Sequence, residues 1–424
     1  MVQGDTVSVG RIYITEDMAS SSSAAAGAAA PEFEKRILVT GGAGFIASHV
    51  VMLLVRKYPQ YKIVNFDKLD YCSSLKNIEA IADAPNYSFV KGSIATADLV
   101  NYVLRTERID HIMHFAAQTH VDNSFGNSIT FTEANILGTH VLLEAAKEAR
   151  VKLFVHVSTD EVYGHGENGV PSHEGSPLEP TNPYAATKAG AEYLVKAYHR
   201  SFGLPIVITR GNNVYGPHQY PEKIIPKFVN QLMRGLPLTM HGSGANTRNY
   251  LYVEDVARAF DVILHRAVSG DIFNIGGTNE QSNLEVARTL LRVMGLVEPL
   301  PAGASAAEVA AAEKRAEDKS LVWVADRPFN DLRYPLDCRR LTELGWKEQE
   351  SWESGLAKTV AWYKRYSGNW SDVESALVAH PRRGWTGKAV TLGRDIAEEP
   401  DAVAAILKGR AGSVGTESGS GAVR

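Results

Sequence analysis

From Lys35 onward the chain alternates short apolar runs with longer amphipathic stretches. KRILVT (35–40), KIVNFD (62–67), YSFVKG (87–92), HIMHFAA (111–117), LFVHVS (153–158) and PIVITR (205–210) read as strands. Between them FIASHVVMLLVRKY (45–58), FTEANILGTHVLLEAAKEA (131–149) and PYAATKAGAEYLVKAYHRSF (183–202) carry helical spacing. Apolar strands alternating with helices predict an α/β fold built on a doubly wound parallel sheet. Beyond Gly211 the rhythm changes to loops rich in Gly, Pro and Asn with scattered helices. That change predicts a smaller C-terminal lobe over the carboxyl edge of the sheet. The expected organisation is a disordered leader over 1–34, a core over 35–210 and a second lobe over 211–370 with some segments returning to the core. Residues 371–424 read as a flexible tail, and the Ala- and charge-rich residues 301–320 as an exposed helical insertion.

The 424 residues are 44% hydrophobic and 22% charged, an ordinary globular balance. A formal net charge of −4 with no long basic run disfavours nucleic acid and anionic membrane as partners. No apolar run approaches the roughly twenty residues that span a bilayer. Two cysteines, Cys72 and Cys338, stand far apart, so neither a disulfide framework nor a metal site is expected. That usage suits a reducing compartment, and the leader lacks the compact apolar segment of a secretory signal. The expected location is cytoplasmic.

TGGAGFIAS (40–48) follows the first strand and opens the first helix. Gly42-x-Gly44-x-x-Ala47 and the overlapping Gly41-x-x-Gly44 fit a dinucleotide fingerprint: a tight turn, a backbone close to pyrophosphate, and a helix N-terminus facing negative charge. Asp67 closes the second strand, about twenty residues on, where a carboxylate meets the adenosine ribose hydroxyls. An acid there repels a 2′-phosphate and favours NAD over NADP. The sheet is therefore expected to be of the Rossmann type.

Tyr184 and Lys188 are four residues apart at the start of a helix, which stacks them on one face. A free phenol ionises near pH ~10; a neighbouring ammonium and a positive nicotinamide would stabilise its phenolate. A YxxxK pair alone is common on ordinary helices. Here it follows both the fingerprint and STDEVYG (158–164), which puts Asp160 beside Glu161 at the tip of a strand. Two adjacent carboxylates repel and are not needed to end a strand. At the carboxyl edge of a parallel sheet, where ligands bind, they form a candidate acid and base pair.

This combination resembles the extended short-chain dehydrogenase/reductase superfamily, and within it the nucleotide-sugar 4,6-dehydratases, which carry a Thr-Asp-Glu run. The similarity extends from about residue 35 to 370 through HFAAQTHVDNS, NPYAATKAGAE, RGNNVYGP, PEKIIPKF, NTRNYLYVEDVARA and DRPFNDLRY. DKLDYCSSLKN, AAQTHVDNSFGNS and TRGNNVYGP look most like the dehydratase domain of UDP-rhamnose synthases. The resemblance implies conversion of UDP-glucose to UDP-4-keto-6-deoxyglucose and water with tightly bound NAD, in a homodimer. It implies Thr159, Asp160, Glu161, Tyr184 and Lys188 as the catalytic set. Asp160 would protonate the departing C6 hydroxyl, and Glu161 would remove the C5 proton made acidic by a C4 ketone.

The same resemblance assigns Gly41, Gly44, Phe45, Ile46, Asp67, Lys68, Ser93, Ala116 and Ala117 to the cofactor, together with Tyr184 and Lys188. It assigns Thr119, Asn213, Lys223, Arg248, Asn274 and Arg327 to the nucleotide sugar. Fixed guanidinium forks suit phosphate oxygens. Ser93 departs from the family pattern, which has an Asp against adenine, and residues 301–320 could shift the approach of the Arg327 segment. The rhamnose synthases carry a second dinucleotide-binding unit with no counterpart after Trp370, so the product is expected to pass to a separate epimerase/reductase. The alternatives are a dTDP-glucose 4,6-dehydratase, a nucleotide-sugar epimerase, which has no task for the Asp160 and Glu161 pair, and a non-catalytic NAD-binding protein.

Overall fold

The computed structural model describes residues 12–13, 32–164, 170–326, 333 and 335–378. The chain divides into two compact units, residues 1–385 and 386–424, the second lying outside the described residues.

The strands, in chain order, are β1 (Ile12–Tyr13), β2 (Lys35–Thr40), β3 (Tyr61–Asp67), β4 (Tyr87–Lys91), β5 (His111–His114), β6 (Leu153–Thr159) and β7 (Ile206–Gly211). They continue with β8 (Asn213–Tyr215), β9 (Leu238–His241), β10 (Thr247–Tyr252), β11 (Ile272–Ile275), β12 (Asn279–Ser282) and β13 (Leu321–Val324). One sheet has the order β1-β4-β3-β2-β5-β6-β7-β11, and every pairing in it is parallel. The pattern of apolar runs predicts this doubly wound arrangement. The chain runs outward from β2 to β4 and then returns to β5 on the other side of β2. A topological switch point therefore opens between the carboxyl ends of β2 and β5, the place where such sheets bind ligands.

Side chains alternate across the sheet, as a period of two requires. Ile37, Val39, Ile63, Met113 and Val155 pack on one face against Val50, Val51 and Leu54 of the helix Phe45–Lys57 and Phe260 of the helix Val253–Arg266. Leu38, Val64, Ile112, Phe154 and Ile208 pack on the other against Leu142, Leu143 and Val195. Each fully buried aliphatic side chain contributes about 1.5–3 kcal/mol, so a sheet apolar on both faces must be covered on both.

The helix Pro183–Phe202 has a complete set of end signals. Asn182 caps it by accepting the Ala185 N–H at 2.9 Å, Pro183 takes the first turn, and Gly203 closes it at φ 67°. The stretch 131–149, expected as one helix, is interrupted. A π-helical turn over Thr132–Leu137 precedes the regular helix Gly138–Ala149. Inside that turn the buried Asn135 accepts the Gln118 N–H at 2.8 Å and donates to Thr187 Oγ1 at 2.9 Å. These tertiary bonds hold the widened turn, and residue periodicity carries no trace of them.

Beyond β7 the chain adds a three-stranded sheet (β12-β10-β8) and the pair β13-β9. The core of this part includes Phe228, Leu290, Leu356 and Tyr363. The chain returns to the main sheet at β11, beside β7. The helix Ala306–Ser320 within the expected insertion is capped reciprocally by Ser305 and Glu308 and tied to the helix Asn283–Val293 by Arg288 and Glu317. Among the described residues no helix is long and apolar enough to cross a membrane.

One charged pair lies inside this apolar framework. Arg210, on β7, is 1% exposed and bonds the fully buried Glu192 through Nη2 at 2.7 Å and Nε at 3.0 Å. Its Nη1 reaches Tyr163 Oη at 2.7 Å. Glu192→Ala strands that guanidinium without a counter-charge, and the expected loss of stability is about 3–5 kcal/mol. Urea unfolding checks it as a lower midpoint at unchanged slope.

Candidate active site

A cavity of about 720 Å³ opens along the carboxyl ends of the central strands. At one end is the glycine turn. Gly41 has φ +73°, and a Cβ there would come 2.9 Å from the Ala116 backbone. A Cβ on Gly42 would fall 2.2 Å from Asn65 Oδ1, so both positions require the missing side chain. The helix Phe45–Lys57 starts at Gly44 with no side-chain cap, which leaves its first N–H groups available to an anion.

Asp67 reaches back across the turn. Its Oδ2 accepts the Ala43 N–H at 3.1 Å, and its Oδ1 accepts the Leu69 N–H at 2.7 Å. Burial pushes its carboxyl above the usual range, and these bonds with the Lys68 charge oppose the rise. A carboxylate has about four acceptor positions, so ribose hydroxyls can still be met. Lys68 pairs with Asp70 at 2.8 Å. Phe45, Ile46, Ser93, Ala116 and Ala117 line the same end of the cavity. A tight glycine cradle, an uncapped helix start and an acid at the end of β3 fit a dinucleotide.

At the other end β6 stops at Thr159 in extended geometry, and one 3-10 turn, Asp160–Tyr163, follows. The Thr159 hydroxyl accepts the Glu161 N–H at 3.3 Å and donates to Asp160 Oδ1 at 3.1 Å. Asn212, one residue past β7, donates its amide to Asp160 Oδ2 at 2.8 Å. Asn182, the cap of the next helix, donates to Glu161 Oε2 at 2.8 Å. Each carboxyl therefore has its own amide.

Their surroundings differ. Asp160 is 3% exposed, whereas Glu161 is half-buried. Burial, with the neighbouring Glu161 charge, pushes the Asp160 carboxyl up to about 7 against the opposing bonds of Asn212 and Thr159 and the charge of Arg248. A substantial share of Asp160 is thus protonated near neutral pH, unlike an ordinary carboxyl. Adjacent carboxyls in unequal environments are the arrangement in which one serves as acid and the other as base.

Tyr184 and Lys188 both line the cavity, as their spacing predicts. Burial, then the charges of Glu161 and Asp160, push the phenol upward; a hydrogen bond with Thr159 opposes this. Lys188 is pulled down to about 8 by burial, against the charge of Glu192. Its ammonium donates to the Val157 carbonyl oxygen at 2.7 Å. That bond ties the lysine to the backbone of β6.

Thr119, Asn213, Lys223 and Arg248 line the cavity too, and Lys223 Nζ donates to the Thr119 carbonyl oxygen at 3.0 Å. Asn274 is a correction. It lies outside the cavity, is fully buried, donates both amide protons to the Ser172 and Asp337 carbonyl oxygens, and accepts the Tyr163 hydroxyl at 2.7 Å. With its amide engaged in joining β11 to neighbouring loops, it has nothing to offer a ligand. Arg327 lies outside the described residues.

Sequence reasoning missed Asn182 and Asn212. The Asn-Pro cap signature marks Asn182 as a helix start, but nothing local points either amide at a carboxyl. It also missed a buried polar cluster in the cavity wall, where the Tyr71 hydroxyl donates to Glu222 at 2.8 Å beside His120.

The family model for GDP-mannose 4,6 dehydratase matches residues 38–359. A trifunctional UDP-glucose 4,6-dehydratase/UDP-4-keto-6-deoxy-D-glucose 3,5-epimerase/UDP-4-keto-L-rhamnose-reductase of Arabidopsis thaliana is 56% identical over 82% of this chain and 50% of its own length. The chain thus spans about half the length of the first curated relatives it matches. The dTDP-D-glucose 4,6-dehydratase of Homo sapiens is 47% identical over 82% of this chain and 95% of its own. Among solved structures, the dTDP-glucose 4,6-dehydratase DesIV of Streptomyces venezuelae, with NAD bound, matches at a TM-score of 0.72 and 42% identity, covering 79% of this chain and 99% of that one. The fold agrees with these matches, and the chain belongs to the GDP-mannose 4,6 dehydratase family of nucleotide-sugar dehydratases.

Proposed function

We propose that this protein is a UDP-glucose 4,6-dehydratase, forming UDP-4-keto-6-deoxyglucose and water. The observation that carries the reading is the split carboxyl pair: Asp160 buried and pushed up to about 7, Glu161 half-buried and held by Asn182, both lining the cavity with Tyr184.

The glycine turn, the open helix start and Asp67 would hold NAD, with Lys188 and Tyr184 at its reactive end. When bound, NAD supplies the redox chemistry, taking hydrogen with its electron pair from C4 and returning it to C6. Tyr184 Oη takes the proton of the C4 hydroxyl. A ketone at C4 acidifies the C5 proton, which Glu161 removes. Asp160 gives its proton to the C6 hydroxyl, so that oxygen leaves as water and a C5–C6 double bond forms. Glu161 then returns a proton to C5. The balance is the loss of one water with no net oxidation. Lys223, Arg248 and Asn213 offer charge and hydrogen bonds to the nucleotide diphosphate.

UDP-glucose is favoured because a relative named for it is 56% identical, against 47% for one named for dTDP-glucose. The dTDP reading has support from near end-to-end matches. The two substrates differ by one methyl group on the base, which a pocket resolves by only about 1–3 kcal/mol, and by the ribose 2′-hydroxyl. Exposed Tyr193 and Phe202 on the helix Pro183–Phe202 support a homodimer, as the family resemblance implies.

Incubation with UDP-glucose and dTDP-glucose in parallel should yield a product lighter by one water, faster from UDP-glucose. Faster turnover of dTDP-glucose would reverse the substrate assignment, and a product of unchanged mass would indicate an epimerase. Glu161→Gln should still oxidise C4, giving in a single turnover a sugar lighter by one molecule of hydrogen. Loss of water should fall by about 10²–10⁴-fold, as for removal of a general base.

The need for a proton on Asp160 sets the alkaline side of the pH profile. Its carboxyl titrates at about 7, so the rate should fall as pH rises through that value. The Asn212 amide favours the charged form; Asn212→Leu removes it and should move the falling limb to higher pH. A limb that stays in place would show that another group controls it.

A further inference from the structure

Residues 366–378 follow the helix Trp352–Arg365 and lie beyond the stretch matched by the family model. None of them lines the cavity. They are nevertheless bonded to the segment that supports its cofactor end. Trp370 is 8% exposed, meets Tyr220 edge-on at 5.6 Å between ring centres, and donates its Nε1–H to the Cys72 carbonyl oxygen at 3.3 Å. The Lys76 ammonium donates to the Gly368 carbonyl oxygen at 2.7 Å. At the far end Lys227 and Gln231 donate to the Val378 and Leu377 carbonyl oxygens.

Asn369 is the buried centre of this contact. Its Nδ2 donates to Asn77 Oδ1 at 2.9 Å, and its carbonyl oxygen accepts the Ser74 hydroxyl at 3.0 Å. Asn77 Nδ2 in turn donates to the Ala43 carbonyl oxygen at 2.9 Å, and the Ser74 N–H donates to the same oxygen at 3.0 Å. Ala43 stands inside the glycine turn, between Gly42 and Gly44. Both donors to its carbonyl therefore come from residues that Asn369 holds. The peptide joining Ala43 to Gly44 is planar, and its other end, the Gly44 N–H, donates to the Gly41 carbonyl oxygen at 3.0 Å. Bonded at both ends, that plane has one orientation, and the uncapped N–H groups that open the helix Phe45–Lys57 follow directly from it. An amide suits the middle place at Asn77, because it accepts on one atom and donates from another. Asn77 is 2% and Asn369 6% exposed, so water does not replace a lost bond.

We infer that Asn369 is a positioning residue for the dinucleotide: acting through Asn77 it fixes the glycine turn, so that residues 366–378 form a clasp that sets how firmly NAD is retained. The inference rests on the reading of the glycine turn as the seat of NAD, and it holds whichever nucleotide sugar is used. Retention has a use in the proposed reaction. Hydrogen taken from C4 must return to C6 of the same sugar, and cofactor lost in between would strand an oxidised intermediate. By linkage, a clasp that steadies bound NAD is itself steadied by NAD.

The test is titration calorimetry of NAD into the full-length protein freed of nucleotide, in wild type, Asn369→Leu, Asn77→Leu and the double variant. Asn369→Leu keeps the side chain's size without its amide and should weaken NAD binding about 10-fold, the scale of one buried hydrogen bond. Because the effect passes through Asn77, the double variant should bind NAD no more weakly than Asn77→Leu alone. UDP, a probe of the substrate end, should bind Asn369→Leu as it binds wild type. Unchanged NAD affinity in Asn369→Leu, or losses that add in the double variant, would overturn the clasp. A parallel loss of UDP affinity would also overturn it, leaving Asn369 a general structural residue. Hydrogen exchange on wild type gives an answer that does not depend on the folding of any variant. NAD should slow amide exchange across residues 366–378, and exchange there that is indifferent to NAD overturns the proposal. Wild type that binds no NAD overturns the reading of the glycine turn, and the clasp with it.

Discussion

Two carboxyl groups on consecutive residues cannot both be charged in a pocket with little water. At close range their repulsion grows as the local dielectric falls, and each also pays for leaving solvent. The protein resolves this by treating them differently. Asp160 is turned into the interior, where burial and the Glu161 charge favour its protonated form, while Glu161 stays half-buried on the amide of Asn182. The surrounding architecture serves to hold that asymmetry.

Three separate stretches of chain must meet for this to happen. The pairing of β6 with β7 sets Thr159 opposite Gly211, so the next residue on each strand brings Asp160 and Asn212 together. β11 pins the Asn212 backbone through the Ile275 carbonyl oxygen at 2.9 Å. Below the site, the buried Arg210–Glu192 pair ties β7 to the helix Pro183–Phe202, whose cap is Asn182. Tyr163 joins the same network, bonded by Arg210 and in turn donating to Asn274. Buried charge is a poor source of stability, yet it can fix one arrangement among several, because a shifted register leaves charges unpaired. Asn274, expected as a ligand contact, belongs to that scaffold.

The cofactor end obeys a different constraint, one of space. The backbone of Gly41 passes so close to Ala116, and that of Gly42 to Asn65, that no side chain fits. Asp67 secures the turn from β3 through the Ala43 N–H. The acid expected to face a ribose thus also shapes the glycine loop, and the two demands favour one residue type.

The division between what was legible in the residues and what was not follows the range of the forces involved. Strand and helix positions, the parallel sheet, the glycine turn and the ends of the helix Pro183–Phe202 depend on periodicity, backbone freedom and capping, all set within a few neighbours. The run Thr159-Asp160-Glu161 and the Tyr184–Lys188 spacing were also readable, because adjacency and one helical turn are local facts. The sequence by itself therefore determined the fold class and named the groups able to do chemistry. The family resemblance assigned Asp160 as acid and Glu161 as base; only the tertiary structure supplied a physical difference between them, in burial and in amides drawn from residues 182 and 212. It likewise decided that Lys188 rests on the Val157 carbonyl, that Asn274 is spent on scaffolding, and that the helix over 131–149 widens around Asn135. Solvation and long-range hydrogen bonds have no signature along the chain, because they come into being only when distant segments exclude water together.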